Sequence, residues 1–269
     1  LLLFPEDQLG TAEELTAADA GELGEGPVLA IVPGEVLERR FPPIAAACLP
    51  FLYDNRRAAR TFFDESVFFE RVASDLPAAA GLRLLSEVEA DGGVGFSTAE
   101  RVLRSPADFE GLALITRGGR YAATVESFGA RPVGAGAAGA DGWVGTEAGL
   151  LAAGLQDDFA HRSDARVAFP RSYLVVDAAA FEALGPEDRR LIEAAAAEAT
   201  RQHRAAVDAR VATVRAALEA AGVSVYVPGE AEREEFRRIA QPAAIDELDA
   251  RVPLEWITRA LEGASQPNL

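Results

Sequence analysis

The stretch from Pro186 to Ala221, PEDRRLIEAAAAEATRQHRAAVDARVATVRAALEAA, constrains the fold more than any other part of the chain. Pro186 suits the first helical position, where its missing N–H would be an orphan donor in any case. Glu187 and Asp188 place negative charge at the positive end of the helix dipole. Gly222 follows and can take the left-handed conformation that ends a helix. Val207, Val211, Val214 and Leu218 recur at spacings of four, three and four, which is one helical face. Unbroken, such a helix runs roughly 50 Å at about 1.5 Å per residue. That exceeds the width of a small domain, so the helix is expected to serve more than one.

A length of 269 residues suffices for one large or two modest domains with real cores. No window approaches the ~18 uninterrupted apolar residues of a membrane span. A formal charge of −17 argues against nucleic acid and anionic membrane surfaces as partners. Every basic side chain is Arg, with no Lys and no Met, as a GC-rich coding bias alone produces. The single cysteine, Cys48, rules out an internal disulfide and a cysteine-based metal cluster. It lies in the apolar run IAAACLPFL and reads as a small buried hydrophobe. The opening LLLFP reads as a strand already under way, so the true N-terminus and a targeting segment are expected outside this sequence.

Taken in order, strands are expected at Leu1–Phe4, Pro27–Val32, Leu82–Val88, Leu112–Thr116, within Ala165–Val176 and at Val223–Val227. Helices are expected at Thr11–Ala20, where Thr11 and Glu14 form a capping box, and over Asn55–Leu76, Tyr121–Phe128 and Ala178–Leu184. Thr146–Phe159 is weakly helical, and two terminal helices cover Glu230–Ile239 and Ile245–Leu261. DGGVGFS near residue 92 reads as a glycine-rich joint, and PVGAGAAGADGWVG as a loop. Strands alternating with helices make the chain α/β. The joint near residue 92 and the strand near 173 are natural crossings between two lobes.

No P-loop, GxGxxG, HExxH or GxSxG motif occurs, and no base–nucleophile pair stands out. Asp157, Asp158 and His161 read as a solvated acidic face rather than a metal site, and His203 as structural. Arg117 and Arg120 differ, because they flank Gly118-Gly119 between a strand and a helix. Backbone N–H groups at a helix start beside a guanidinium suit an anion, and Arg grips a carboxylate with a planar fork. The alternative is a surface loop with two solvated arginines. Trp143 either stacks on a ligand or fills a core, and Trp256 reads as packing.

Several stretches, in order, resemble the DctP-type substrate-binding proteins of TRAP transporters. They are LLLFPEDQLG, LPFLYDNRRAA, SPADFEGLALI followed by SFGARPV, ADGWVG, and FEALGPEDRRLIEAAAAEAT. The resemblance spans nearly the whole chain. It implies a two-lobed, periplasmic-binding-protein-like (type 2) α/β fold whose long helix, 186–221, is shared between lobes. One lobe is expected from residues 1–92 plus 174–212 and the other from 93–173 plus 213–269. The implied role is extracytoplasmic or periplasmic binding of a small, anionic organic acid, with delivery to TRAP permease subunits and no cofactor or metal. The family's clamp Arg falls on Ile115, with Arg117 two positions later, and its second Arg falls near Gly95 or Phe96. The sequence GAGAAGA replaces the family's usual segment between Pro132 and Asp141. The ligand-lining residues expected on this basis are Arg117, Arg120, Asp141, Gly142 and Trp143, with Phe96, Pro33 and Gly34 opposite. A ligand-sensing or partner-binding module that kept the fold and lost transport is the alternative, with an α/β enzyme behind it.

Overall fold

The structure is a computed structural model, and it describes residues 28–90, 92–116 and 120–265. The strand expected at 1–4, the helix expected at 11–20 and Arg117 lie outside the described residues. In chain order the described elements begin with β1 (Leu29–Pro33), α1 (Gly34–Arg40), a 3-10 turn at Pro42–Cys48, α2 (Arg56–Glu65), α3 (Val67–Ala80) and β2 (Leu82–Glu89). Then come β3 (Gly95–Thr98), β4 (Ala113–Thr116), α4 (Arg120–Ser127), β5 (Arg131–Val133), β6 (Gly142–Gly145) and α5 (Glu147–Ala152). The chain continues through β7 (His161–Ser163), β8 (Arg171–Asp177), α6 (Ala178–Glu182) and α7 (Pro186–Ala220). It closes on β9 (Ser224–Tyr226), α8 (Glu230–Asp249) and α9 (Leu254–Ser265).

The strands form two sheets, one per lobe. The first has the order β1-β8-β2 and is antiparallel; the second has the order β5-β4-β6-β3-β7-β9 and is mixed. Alternation along β4 and β6 sends Leu114 and Val144 into one core and Ile115 and Trp143 into another, so the second sheet is covered on both faces. The first lobe has its own core, in which Phe62, Phe68, Phe69, Tyr173 and Trp256 make a chain of aromatic contacts. The expected single helical region from Asn55 to Leu76 is two helices. Asn55 caps the first, its Oδ1 accepting from Ala58 N at 2.9 Å. Ser66 stops it and caps the next, its Oγ accepting from Phe69 N. The glycine-rich joint is partly ordered as strand β3, and β5 and β7 add short strands that carry no alternating pattern in the sequence.

The long helix runs from Pro186 to Ala220, close to its expected span, and touches both lobes. Only Ala196, Val207 and Leu218 are fully buried. Most of the alanine run faces water instead of the lobe junction, whereas Leu218 joins the core that holds Trp143. Charge does much of the docking. Toward the first lobe, Arg204 pairs with Asp64 and Glu87, and Asp208 pairs with Arg56 and Arg60. Toward the second, Arg215 pairs with Glu147 and Asp164.

A second strut comes from α8, which continues through Pro242 where two separate helices were expected. Phe236 and Ala240 lie in a core of the second lobe, while Ala244 and Leu248 lie in the core of the first. Burial at both ends holds the helix together across the proline, which removes one N–H from the ladder. Consequently the C-terminal residues do not all fall with the second lobe: Trp256, Ile257 and Ala260 of α9 pack in the first. The crossings between sheets run from Glu89 to Gly95 and from Ser163 to Arg171, so β8 starts in the first lobe at Arg171.

A third connection is Phe51. Its φ is +56°, in the left-handed region that a bulky side chain rarely adopts. Three contacts hold it there. Its N–H donates to Val167 O at 2.6 Å, its carbonyl accepts from Arg237 Nε at 3.2 Å, and its ring stacks on Phe236 at 5.9 Å between centroids. Arg233 clamps the same segment, donating to Tyr53 O, Asp54 O and Ala165 O. Truncation by Phe51→Ala is expected to destabilise the protein by about 3–5 kcal/mol, as for other buried Phe→Ala changes. Urea unfolding followed by tryptophan fluorescence checks this, and a loss below about 1 kcal/mol would show that the wedge is dispensable.

Candidate functional site

Strand direction fixes where the two lobes can share a ligand. Parallel β4 and β6 end at Thr116 and Gly145, and antiparallel β3 begins at Gly95, opposite Gly145. β7 ends at Ser163 beside Phe96, and β9 ends at Tyr226 beside Ser163. Both crossings therefore leave the second sheet from the edge at which its parallel strands finish. Crevices outside the carboxyl ends of parallel strands are where open α/β sheets bind ligands. In the first lobe, Pro33 pairs with Ser172 and Glu89 pairs with Arg171, so the Pro33-Gly34 turn and both crossings share one edge. Both crossings run between these two edges, so the space beside them is the candidate cleft.

Of the residues expected there, Pro33 and Gly34 lie at the cleft edge. Gly34 is buried, and a Cβ on it would stand 3.0 Å from the Arg171 carbonyl oxygen and 3.5 Å from the Tyr173 ring. Arg120 begins α4, in the connection that follows Thr116, and so belongs to the opposite edge. The others sit elsewhere. Phe96 is 1% exposed, with its ring edge-on to Phe109 at 4.7 Å in a core of the second lobe. Trp143 is buried with Ile115, Leu150, Phe159 and Leu218 on the opposite face, so it fills a core. Asp141 and Gly142 stand at the far end of β6. The Asp141 carboxylate accepts from Ala113 N at 2.7 Å and ties β6 to β4. Gly142 has a packing reason, because a Cβ there would come within 2.3 Å of Ser97 O on β3.

Sequence reasoning passed over the buried charges that border the cleft. Arg162, inside β7, is wholly buried. Its Nε donates to Glu147 Oε1 at 3.2 Å, its Nη1 to Ser97 Oγ at 3.2 Å and its Nη2 to Gly145 O at 3.1 Å. Burial pulls this guanidinium below its ordinary pKa, and the charges of Glu147 and Asp164 oppose the shift. Glu87 and Glu89, at the end of β2, are almost fully buried. Glu89 takes both Arg60 Nε and Nη2, while its carbonyl oxygen meets His203 Nε2 at 3.0 Å. Charged residues at inward positions of short strands were the available signal, in HRSD and SEVE.

Other candidates carry no chemistry. Burial pushes the Cys48 thiol up to about 11, so it is no nucleophile at neutral pH. Among the described residues no group of three or more His, Cys, Asp and Glu side chains is gathered as for a metal ion. Among them, too, no helix is long and apolar enough to cross a membrane.

Removing Arg162 leaves the buried Glu147 with Arg215 as its remaining ion-pair partner, so Arg162→Met is expected to cost about 3 kcal/mol, the low end for a broken buried pair. Chemical denaturation checks this, and Arg162→Met combined with Glu147→Leu should recover much of the loss. The mostly exposed Asp208 gives a pH signature. Its hydrogen bond to Arg60 holds its pKa below 3.8, against a smaller desolvation effect, with Arg56 assisting. A depressed carboxylate pKa contributes stability that is present above the unfolded value and is lost as pH falls through the folded one. Melting temperature should therefore fall more shallowly below about pH 4 in Asp208→Asn than in wild type. Identical slopes would show that the pair does not couple folding to protons.

Comparison with known proteins gives a consistent result. The sequence matches the family described as bacterial extracellular solute-binding protein, family 7 (DctP), over residues 1–138 and 141–247. No curated protein matches it. A TRAP periplasmic solute-binding protein from Ochrobactrum anthropi, solved with its C-terminus in its ligand pocket, superposes with a TM-score of 0.87. The two are 19% identical over 97% of this chain and 82% of that one. A Rhodobacter sphaeroides relative in an open, ligand-free state has a TM-score of 0.86 at 18% identity, covering 99% of this chain and 88% of that one. A Sulfitobacter relative bound to β-D-galacturonate has a TM-score of 0.77 at 15% identity, covering 96% and 85%.

Proposed function

The chain belongs to the DctP family of bacterial extracellular solute-binding proteins, and on that premise we propose that it captures a small organic anion between its lobes in the periplasm and hands it to the membrane subunits of a TRAP transporter. The observation that carries the anionic part is the presence of an arginine at each of the two edges that the crossings join. Arg120 opens α4 beyond the carboxyl end of β4, and Arg171 opens β8 at the first-lobe end of the second crossing; Arg117 lies between β4 and α4 in the sequence. Relatives solved with galacturonate and succinate support the ligand class. In this reading the protein changes no covalent bond. The ligand favours a closed arrangement because it touches both edges at once. The three connections at the crossings, α7, α8 and Phe51, keep the lobes in register as they rotate.

Thermal shift against a panel of organic acids tests the reading. An acid at about 100 times its Kd should add roughly 2.7 kcal/mol of stability. Silence across the whole panel would defeat the organic-acid assignment. Arg117→Ala should weaken a binding acid at least tenfold, about 1.4 kcal/mol, and unchanged binding would remove Arg117 from the site.

A further inference from the structure

The two helices that join the lobes are built differently. α7 runs 35 residues without a proline or glycine beyond Pro186 at its first turn. It is docked at both ends largely through arginine side chains, Arg204 in the first lobe and Arg215 in the second. Long side chains of that kind keep a carboxylate partner through a small shift of the helix. α8 is seated by apolar residues instead. Phe236 and Ala240 lie in a core of the second lobe, and Ala244 and Leu248 in the core of the first. Pro242 stands midway between Ala240 and Ala244, at the point where the helix passes from one lobe to the other.

A rotation of the lobes has to be absorbed inside α8, because close-packed cores hold its two ends. The N-terminal half is fixed further: Arg233 donates to the Tyr53 and Asp54 carbonyls, and Arg237 to that of Phe51. Pro242 makes the residues around it the least costly place to bend. It has no N–H to offer the Arg238 carbonyl, and its ring crowds that oxygen. Arg238 and Pro242 are both exposed, so water is at hand for the freed carbonyl. Sharp bends in helices concentrate at proline for this reason. The ring widens the outer face of α8, so the two halves tilt toward the buried face. Side chains there are small, with Ala240, Ala243 and Ala244 around the proline, and tilting meets little bulk.

We propose that Pro242 is a hinge: as the lobes close, α8 bends between Arg238 and Pro242 while its two halves keep their places in separate cores. This rests on the solute-binding reading above, which requires the lobes to move. It gives closure a bending point inside a helix, apart from the two crossings between the sheets. The two connecting helices then respond in different ways, α7 by shifting on its ion pairs and α8 by bending.

Pro242→Ala restores the N–H and removes the ring, so it stiffens α8 without entering either core. Spin labels on the exposed positions Val67→Cys in the first lobe and Glu100→Cys in the second, in a Cys48→Ala background, report the distance between lobes by pulsed electron resonance. In the ligand-free protein, Pro242→Ala should narrow that distance distribution at least 1.5-fold. Hydrogen exchange at residues 243–246 should slow at least tenfold in the same variant, with residues 233–236 unchanged within twofold. Pro242→Gly regains the N–H but stays pliable, and should keep the wild-type width. Succinate and D-galacturonate serve as calorimetric probes of closure, and whichever binds wild type should bind Pro242→Ala at least threefold more weakly. A proline of purely structural importance would leave the width and the affinity where they are. Exchange that does not slow in Pro242→Ala, or slows while the distance distribution keeps its width, overturns the hinge. So does a Gly variant narrowed as far as the Ala variant, or an affinity weakened less than twofold. If neither acid binds wild type, the distance distribution decides the hinge by itself, and the organic-acid reading is tested separately.

Discussion

Burial of Glu87 and Glu89 at the end of β2 is the constraint on which the rest of the molecule depends. Both carboxylates lie where the chain leaves the first lobe, and neither could stay ionised there without cations close by. Arginines arrive from three directions: Arg60 from α2, Arg204 from α7 and Arg171 from β8. Satisfying two buried charges therefore fixes the distance and azimuth of α2 and α7 relative to the first sheet. The same helix then reaches the second lobe, where Arg215 meets Glu147 and Asp164. Geometry set by ion pairing at one end is transmitted along a rigid rod to the other.

Such an arrangement suits a hinge better than a continuous apolar core would. An apolar junction resists opening in proportion to the area it must expose. A junction of ion pairs and helix struts can keep its partners through a small rotation, since long arginine side chains follow their carboxylates. Apolar contact joins the lobes at particular places: Phe51 on Phe236, Leu218 in the core that holds Trp143, and α8 with its two ends in different cores. The left-handed backbone at Phe51 and Arg166 flanks the same crossing, where surrounding structure determines the conformation despite its local cost.

Several parts of this architecture were legible in the sequence because they depend on short-range rules. The long helix announced itself through Pro186, Glu187, Asp188, the valine spacing and Gly222, all of which act within a turn of the helix ends or along one face. The strand ahead of Arg117 and the turn at Pro33-Gly34 followed from local patterning as well. The break at Ser66 was missed because apolar periodicity runs across it, and only the capping geometry separates α2 from α3. Pro242 misled in the opposite sense. A proline usually ends a helix, but here two cores in different lobes hold the halves in line.

The candidate site was legible only at its edges. Sequence alone determined an acidic, arginine-only α/β chain and its shared helix. It could not say that Phe96 and Trp143 point into cores, since alternation along a four-residue strand does not reveal which face is open when both are covered. Nor could it reveal that Arg171 and Glu87, 84 positions apart in PRSY and SEVE, form a buried ion pair. That pairing follows from the antiparallel register of β2 and β8, and register is fixed by hydrogen bonds between strands distant in the chain. Tertiary structure decided which charges are buried at the crossing, because burial is a property of the assembled lobes and not of any local run of residues.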